Sequence, residues 1–249
     1  MFYNKSMDND QINQLKLLIK QARKIVFFGG AGVSTESGIC DFRSKDGLYN
    51  LESKYNAPYE VMLSRSYFDE NTETFFKFYR EFMVGNKPHE PNEAHKYLVK
   101  LEKKKHLTII TQNIDGLHQL AGSKNVIELH GSIQRNYCMK CGAFYDLNEI
   151  MKTQGIPYCP KCGGIIKPDV VLYEEPLDKN IMTKAIIALQ EADLLIVAGT
   201  SLNVYPAAGL LQYFYGNNIV VINKDRIPIN RQVKLVMNDK IGEVFSKLD

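Results

Sequence analysis

Cys138, Cys141, Cys159 and Cys162 form two C-x2-C knuckles separated by seventeen residues. Thiolates at this spacing are the ligands of a tetrahedral Zn²⁺ site. Lys140-Cys141-Gly142 and Lys161-Cys162-Gly163-Gly164 place a glycine after each knuckle's second cysteine, where the chain turns back around the metal without a Cβ in the way. Four free buried thiols or two disulfides are the competing readings, and both require the double spacing to be accidental in a chain with five cysteines. Four thiolates close a zinc site to substrate, so this metal is expected to be structural, with the chemistry elsewhere.

Three further clusters have chemical potential. Gly30-Ala31-Gly32 can offer bare backbone amides to a pyrophosphate, although the dinucleotide fingerprint G-x-G-x-x-G is incomplete because Thr35 occupies its sixth position. The usual acidic ribose partner about 20 residues further on is not evident, which disfavours an ordinary dehydrogenase. In Gln112-Asn113-Ile114-Asp115, two polar side chains flank an apolar one and can both enter a pocket. His130, before Gly131, is either a general base, with a pKa near working pH, or a hydrogen-bonded core histidine. His118 reads as structural.

These clusters need strands to carry them. Lys24 to Phe28, Leu107 to Thr111, Asp193 to Ala198 and Ile219 to Ile222 are short apolar runs, each followed by small or polar residues. Helical patterns cover residues 12–19, where Asp8 and Asp10 are candidate caps, as well as 92–103, 180–192 and 206–215. A further helix is expected after the Gly30 turn. Strands alternating with helices imply an α/β fold with a doubly wound, Rossmann-like parallel sheet, whose ligands bind at the carboxyl ends of the strands. Two insertions interrupt the alternation. One, over 44–91, is rich in Phe and Tyr, with helical spacing near Phe75, Phe76, Tyr79 and Phe82; the other, over 132–168, holds the cysteines. Together they are expected to form a small zinc-binding lobe on a nucleotide-binding domain of 1–43, 92–131 and 169–249.

The bulk properties of the 249-residue chain narrow its class. Hydrophobic content of 45% and charged content of 24% are those of an ordinary soluble globular protein. A net charge of +3 makes no case for nucleic acid, and no apolar run approaches a membrane span. The polar N-terminus lacks a signal-peptide core. With metal-type cysteines, the chain is expected to work in the cytoplasm; it is also expected to be a monomer.

The string from Gly30 to Arg43, GAGVSTESGICDFR, resembles the first signature of the sirtuins, the NAD-dependent protein deacylases. Thr111 to His118, TQNIDGLH, resembles their second signature, and Glu128-Leu129-His130-Gly131 their catalytic-histidine motif. The double cysteine knuckle falls at the family's place, and Gly199-Thr200-Ser201-Leu202 with Val204-Tyr205-Pro206-Ala207-Ala208 matches the late nucleotide loop.

That resemblance implies a deacetylase that consumes NAD⁺. The acyl oxygen of an acetyl-lysine attacks C1′ of the nicotinamide ribose, nicotinamide leaves, and a histidine base activates a ribose hydroxyl to attack the resulting imidate. The products are free lysine and O-acetyl-ADP-ribose. Carried over by motif, His130 is the base, while Asn113 and Asp115 line the nicotinamide pocket together with the Ile114 backbone. Gln112 touches the ribose and Phe42 covers the nicotinamide. Ala31, Thr35 and Arg43 contact phosphates and ribose, Thr200 and Ser201 the phosphates, and Asn223, Asp225 and Ile241 the adenosine end. Val170, Val171, Leu172 and Tyr173 correspond to the strand that pairs with the acetyl-lysine peptide.

Three positions depart from the family pattern. Cys40 replaces a proline, which makes its loop less rigid, and Glu174 replaces a glycine, which leaves peptide preference open. Phe76 and Tyr79 stand where relatives that remove acidic acyl groups carry Tyr and Arg, so neutral acyl groups are expected. Mono-ADP-ribosyltransfer on the same scaffold is the alternative activity, although relatives with that activity tend to lose the His-Gly motif that is intact here.

Overall fold

A computed structural model of the chain describes residues 9–40, 55, 57–85 and 88–248. Its main sheet is built from β1 (Lys24–Gly29), β2 (His106–Thr111), β3 (Val126–Glu128), β7 (Leu194–Ala198), β8 (Asn218–Ile222) and β9 (Leu235–Met237). The strand order is β3-β2-β1-β7-β8-β9, and every pairing is parallel. The expected α/β doubly wound sheet is therefore present.

Side chains on this sheet sort by the two-residue period of a strand. Ile25 and Phe27 of β1 face a core shared with α1 (Asn9–Gln21), α5 (Glu93–Glu102) and α9 (Ile241–Ser246). Val26 and Phe28 face the opposite core, filled by α8 (Lys179–Glu191) and the 3₁₀ segment Ala207–Tyr213. Both faces are covered, which is why the strands read as unbroken apolar runs.

Two elements differ from their expected form. The chain after Gly30 makes two single 3₁₀ turns, Ala31–Val33 and Thr35–Ser37, and the 206–215 pattern winds as 3₁₀. The Gly30 turn cannot extend into a regular helix without leaving Gly199. Gly32 N donates to the Gly199 carbonyl at 2.8 Å, and a Cβ on Gly32 would lie 2.7 Å from Gly199 Cα.

The second sheet, β5 (Phe144–Asp146), β4 (Gly131–Cys138) and β6 (Ile166–Val170), is antiparallel in the order β5-β4-β6. It packs against α2 (Tyr59–Met62), α3 (Arg65–Glu70), α4 (Thr72–Phe78), the π-helical turn Tyr79–Val84 and α7 (Leu147–Met151). Phe68, Phe75, Phe76 and Tyr79 are fully buried there, with Phe68 and Phe75 edge to face at 5.0 Å. Among the described residues, no helix is long and apolar enough to cross a membrane.

Candidate active site and metal centre

The winding of the main sheet reverses between β1 and β7, and in such sheets the ligand crevice lies at the carboxyl ends of the strands at this switch point. The Gly30 turn and Gly199-Thr200-Ser201 meet at this crevice, and the Gln112–Asp115 loop enters it from β2 and leads into α6 (Leu117–Ala121). Gly199 has φ +58, and any Cβ would stand 2.5 Å from Val33 N, so two backbones touch where a side chain has no room.

Ser34, a residue that carries no signal of its own in the sequence, ties the site together. It is buried, and its hydroxyl donates to Asp115 Oδ2 at 2.7 Å while accepting from Asn113 Nδ2 at 3.0 Å. Asp115 Oδ1 also accepts from Leu117 N at 2.9 Å. Asn113 and Asp115 are thereby fixed side by side. The Ile114 carbonyl accepts from Ile133 N, so what Ile114 can offer a carboxamide is its N–H.

His130 lies at the junction of the two sheets, two residues past the end of β3 and one before β4. Its Nδ1 is 3.0 Å from the Gln112 carbonyl. A carbonyl can only accept, so Nδ1 carries the proton and Nε2 keeps the lone pair. Burial pushes the imidazole pKa down, partly offset by the bond to Gln112. The ring is therefore neutral at neutral pH, as a base must be. Gly131 behind it has φ +75, and a Cβ there would lie 1.9 Å from the Asp169 carbonyl. Arg135 forks between Glu128 at 2.7 Å and Asp169 at 2.8 Å, bracing the histidine from both sheets.

Of the other expected contacts, Gln112 Nε2 donates to Thr200 Oγ1 at 3.0 Å, and Thr35 Oγ1 bonds the Gly32 carbonyl. Asn223 is buried, with its amide on the Asp225 carbonyl at 2.8 Å and its own carbonyl held by Asn238. The Ile241 side chain belongs to the hydrophobic core, so any contribution to the adenosine end comes from its main chain. Phe42 and Arg43 lie outside the described residues. The hydroxyls, amides and carboxylate gathered from Ser34, Thr35, Gln112, Asn113, Asp115, Thr200 and Ser201 are the kinds of donor and acceptor that phosphates, ribose hydroxyls and a carboxamide require, so the site fits NAD.

The expected peptide strand is partly engaged within the chain. Val171 N donates to the His130 carbonyl at 3.0 Å, Tyr173 N to Leu63 O at 2.9 Å, and Arg65 N to Tyr173 O at 2.9 Å. Val170 and Leu172 are buried, whereas Tyr173 is exposed. Glu174 keeps the left-handed backbone of the glycine it replaces, with φ 75. Its carboxylate turns onto Ser66, accepting from Ser66 N at 2.9 Å and from the hydroxyl at 3.0 Å.

The cysteines converge as their spacing requires. Cys138 and Cys162 Sγ are 3.4 Å apart, Cys141 and Cys159 Sγ 3.7 Å, and all four lie within 4.8 Å of one another. Zn–S bonds of about 2.3 Å give a thiolate tetrahedron with edges of about 3.8 Å, so the residues fit Zn²⁺. The knuckles repeat one hydrogen-bond pattern: Gly142 N to Cys138 O and Gly163 N to Cys159 O, both at 2.8 Å. Tyr145 Oη stands 3.0 Å from Cys159 Sγ, a partner that the knuckle spacing does not reveal. Exposed Cys40 takes no part.

Comparison with known proteins agrees with this geometry. The Sir2 family profile matches residues 30–206. Proteins named NAD-dependent protein deacetylase from Clostridium acetobutylicum and Clostridium tetani are each 57% identical over 238 residues, covering 95% of this chain and 97% and 96% of theirs. A solved Sir2 structure with deacetylated p53 peptide and 3′-O-acetyl-ADP-ribose superposes with a TM-score of 0.84 at 35% identity, covering 96% of this chain and 97% of that one. A Sir2 bound to acetylated peptide gives a TM-score of 0.81 at 33% identity, covering 95% and 96%. With a four-thiolate centre, a glycine-walled crevice and a neutral histidine in matching order, the chain belongs to the Sir2 family, the sirtuins.

Proposed function

We propose that this protein is an NAD-dependent protein-lysine deacetylase that releases nicotinamide, free lysine and O-acetyl-ADP-ribose. The observation that carries the reading is the bond from His130 Nδ1 to the Gln112 carbonyl, which leaves Nε2 as an unprotonated base at the mouth of the crevice. Bound NAD⁺ supplies a ribose C1′ whose bond to nicotinamide can be exchanged for one to the acyl oxygen. His130 accepts the proton of a ribose hydroxyl. Asp115 and Asn113, held by Ser34, orient the nicotinamide carboxamide, with Asp115 as the acceptor. Thr35, Thr200 and Ser201 hold the phosphates, with Arg43, and Asn223 and Asp225 hold the adenosine end.

The division of labour proposed for the chain assigns NAD to residues 1–43, 92–131 and 169–249. The lobe of 44–91 and 132–168 gives one wall of the peptide cleft, with Val170 to Tyr173 along its edge. Zn²⁺ in the four thiolates holds that lobe in shape and touches no substrate. Burial of Phe76 and Tyr79 in the small-lobe core, with no arginine at either position, supports neutral acyl groups such as acetyl. We place the activity in the cytoplasm of the cell, on the strength of the metal-type cysteines, and assign it to a monomer that acts on protein substrates.

The test is incubation with NAD⁺ and an acetyl-lysine peptide, following nicotinamide, peptide mass and O-acetyl-ADP-ribose. All three should change together. A peptide of unchanged mass, with ADP-ribose appearing on protein, would replace this reading by transfer; succinyl-lysine cleaved as fast as acetyl-lysine would remove the acyl preference.

A further inference from the structure

The loop that carries Ser34 is held from behind by a residue outside every motif so far considered. Asn92 caps α5: its Oδ1 accepts from Ala94 N at 3.0 Å and from His95 N at 3.4 Å, the ordinary work of an N-cap. Its amide nitrogen does something a cap does not require. Nδ2 donates to the Val33 carbonyl at 2.8 Å and to Ser37 Oγ at 3.0 Å. These are its two hydrogens, spent on two acceptors that flank Ser34 in the chain. His89 Nδ1 lies 3.0 Å from the Ser37 carbonyl and supports the same turn. Ser34 itself is buried and bonded to Asn113 and Asp115. A shift of the Val33–Ser37 turn would be passed directly to both of those side chains.

We propose that Asn92 is a positioning residue for the reaction. Its amide grips the chain on both sides of Ser34, and through Ser34 it sets Asn113 and Asp115 at the nicotinamide end of the site. This rests on the deacetylase reading for the meaning of that end, but the geometric claim stands apart from it. Only asparagine combines the two functions. Serine and aspartate cap helices about as well, yet serine lacks the reaching amide, and aspartate would turn an oxygen towards the Val33 carbonyl.

The experiment uses full-length N92S and N92D, S34A and the N92S/S34A double variant. Because the cap is conserved, both Asn92 variants should melt within a few degrees of the wild type. The kcat/KM for NAD should fall about ten- to hundredfold, while KM for acetyl-lysine peptide stays unchanged. If Asn92 acts through Ser34, the double variant is no worse than S34A. A crystal structure of N92S should show the Ser34 Oγ to Asp115 Oδ2 contact lengthened beyond hydrogen-bonding distance, a readout that holds even if the wild type lacks deacetylase activity. Unchanged kinetics in both Asn92 variants, losses additive with S34A, or an intact Ser34–Asp115 contact in N92S would each overturn the proposal.

Discussion

Ser34 Oγ donates to Asp115 Oδ2 at 2.7 Å across 81 residues of sequence, joining the first loop of the sheet to the second. The same hydroxyl accepts from Asn113, so one small side chain fixes the orientation of two polar ones. Ser34→Ala leaves the Asp115 carboxylate one donor short. A hydrogen bond to a charged group contributes about 1.5–3 kcal/mol, so kcat/KM for NAD should fall about ten- to hundredfold. Steady-state kinetics at varied NAD decide it; an S34A enzyme with wild-type kcat/KM would show that the contact is incidental.

His130 should set the acid limb of the pH profile. As the proposed base it works only when neutral, and burial lowers its pKa from 6.5. Activity therefore holds as pH drops through 6.5 and declines only below it. His130→Ala should lower deacetylation by about 10²–10⁴-fold, with the acid limb lost from what remains. A limb centred above 6.5 would contradict the buried, neutral assignment.

His95 and His118 form a buried pair with ring centroids 4.7 Å apart. Burial lowers their pKa values to about 4 and about 3; Asp115 raises the first and His95 further lowers the second. The unfolded chain takes up protons on both near pH 6.5, whereas the folded chain refuses them. Stability is thus full above pH 6.5 and is lost on acidification, by about 1.4 kcal/mol per pH unit per histidine, down to about pH 4 for His95 and about pH 3 for His118. His118→Leu should flatten that slope by about half at pH 5.5 while leaving the Tm at pH 7.5 unchanged or higher, since both ring nitrogens of His118 lack hydrogen-bond partners among the described residues. Denaturant melts at several pH values around 5.5 give the slope and a thermal melt at pH 7.5 the Tm, and an undiminished slope in the variant would refute it.

Tyr145 should tune the zinc centre through its contact with Cys159. Tyr145→Phe is expected to weaken zinc about 10–100-fold, the usual effect of losing a ligand's hydrogen-bond partner. Competition with a chromophoric chelator reads this directly. Complete removal of zinc should unfold the small lobe and abolish activity, and Co²⁺ should restore both; activity in a verified zinc-free protein would break the structural assignment.

Gly131 and Gly155 offer a matched pair for backbone strain. Both have positive φ, +75 and +63, but only Gly131 faces an obstacle, the Asp169 carbonyl 1.9 Å from where an alanine methyl would stand. Gly155→Ala should cost about 1–2 kcal/mol. Gly131→Ala should cost more than about 3 kcal/mol or yield insoluble protein. Equal melting temperatures for the two variants would mean that the β4–β6 crossing yields easily.

The sequence by itself determined four of the six strands of the main sheet, the zinc ligands and the order of the site motifs. Apolar runs buried on both faces and thiolates at fixed spacing are local signals, written in neighbouring residues. It also marked His130 without deciding between base and core histidine. Only the tertiary structure decided which ring nitrogen carries the proton, because the Gln112 carbonyl that selects the tautomer arrives from the end of another strand. Ser34, Asn92 and Tyr145 are silent in the sequence for the same reason: each acts through a partner distant in the chain. The turn after Gly30 has the local pattern of a helix start, yet the opposing Gly199 backbone, which follows β7 across the crevice, shapes it into 3₁₀ turns. Chemistry carried by one residue type in a local pattern is legible in a sequence; a hydrogen bond between segments exists only once the sheet has brought them together.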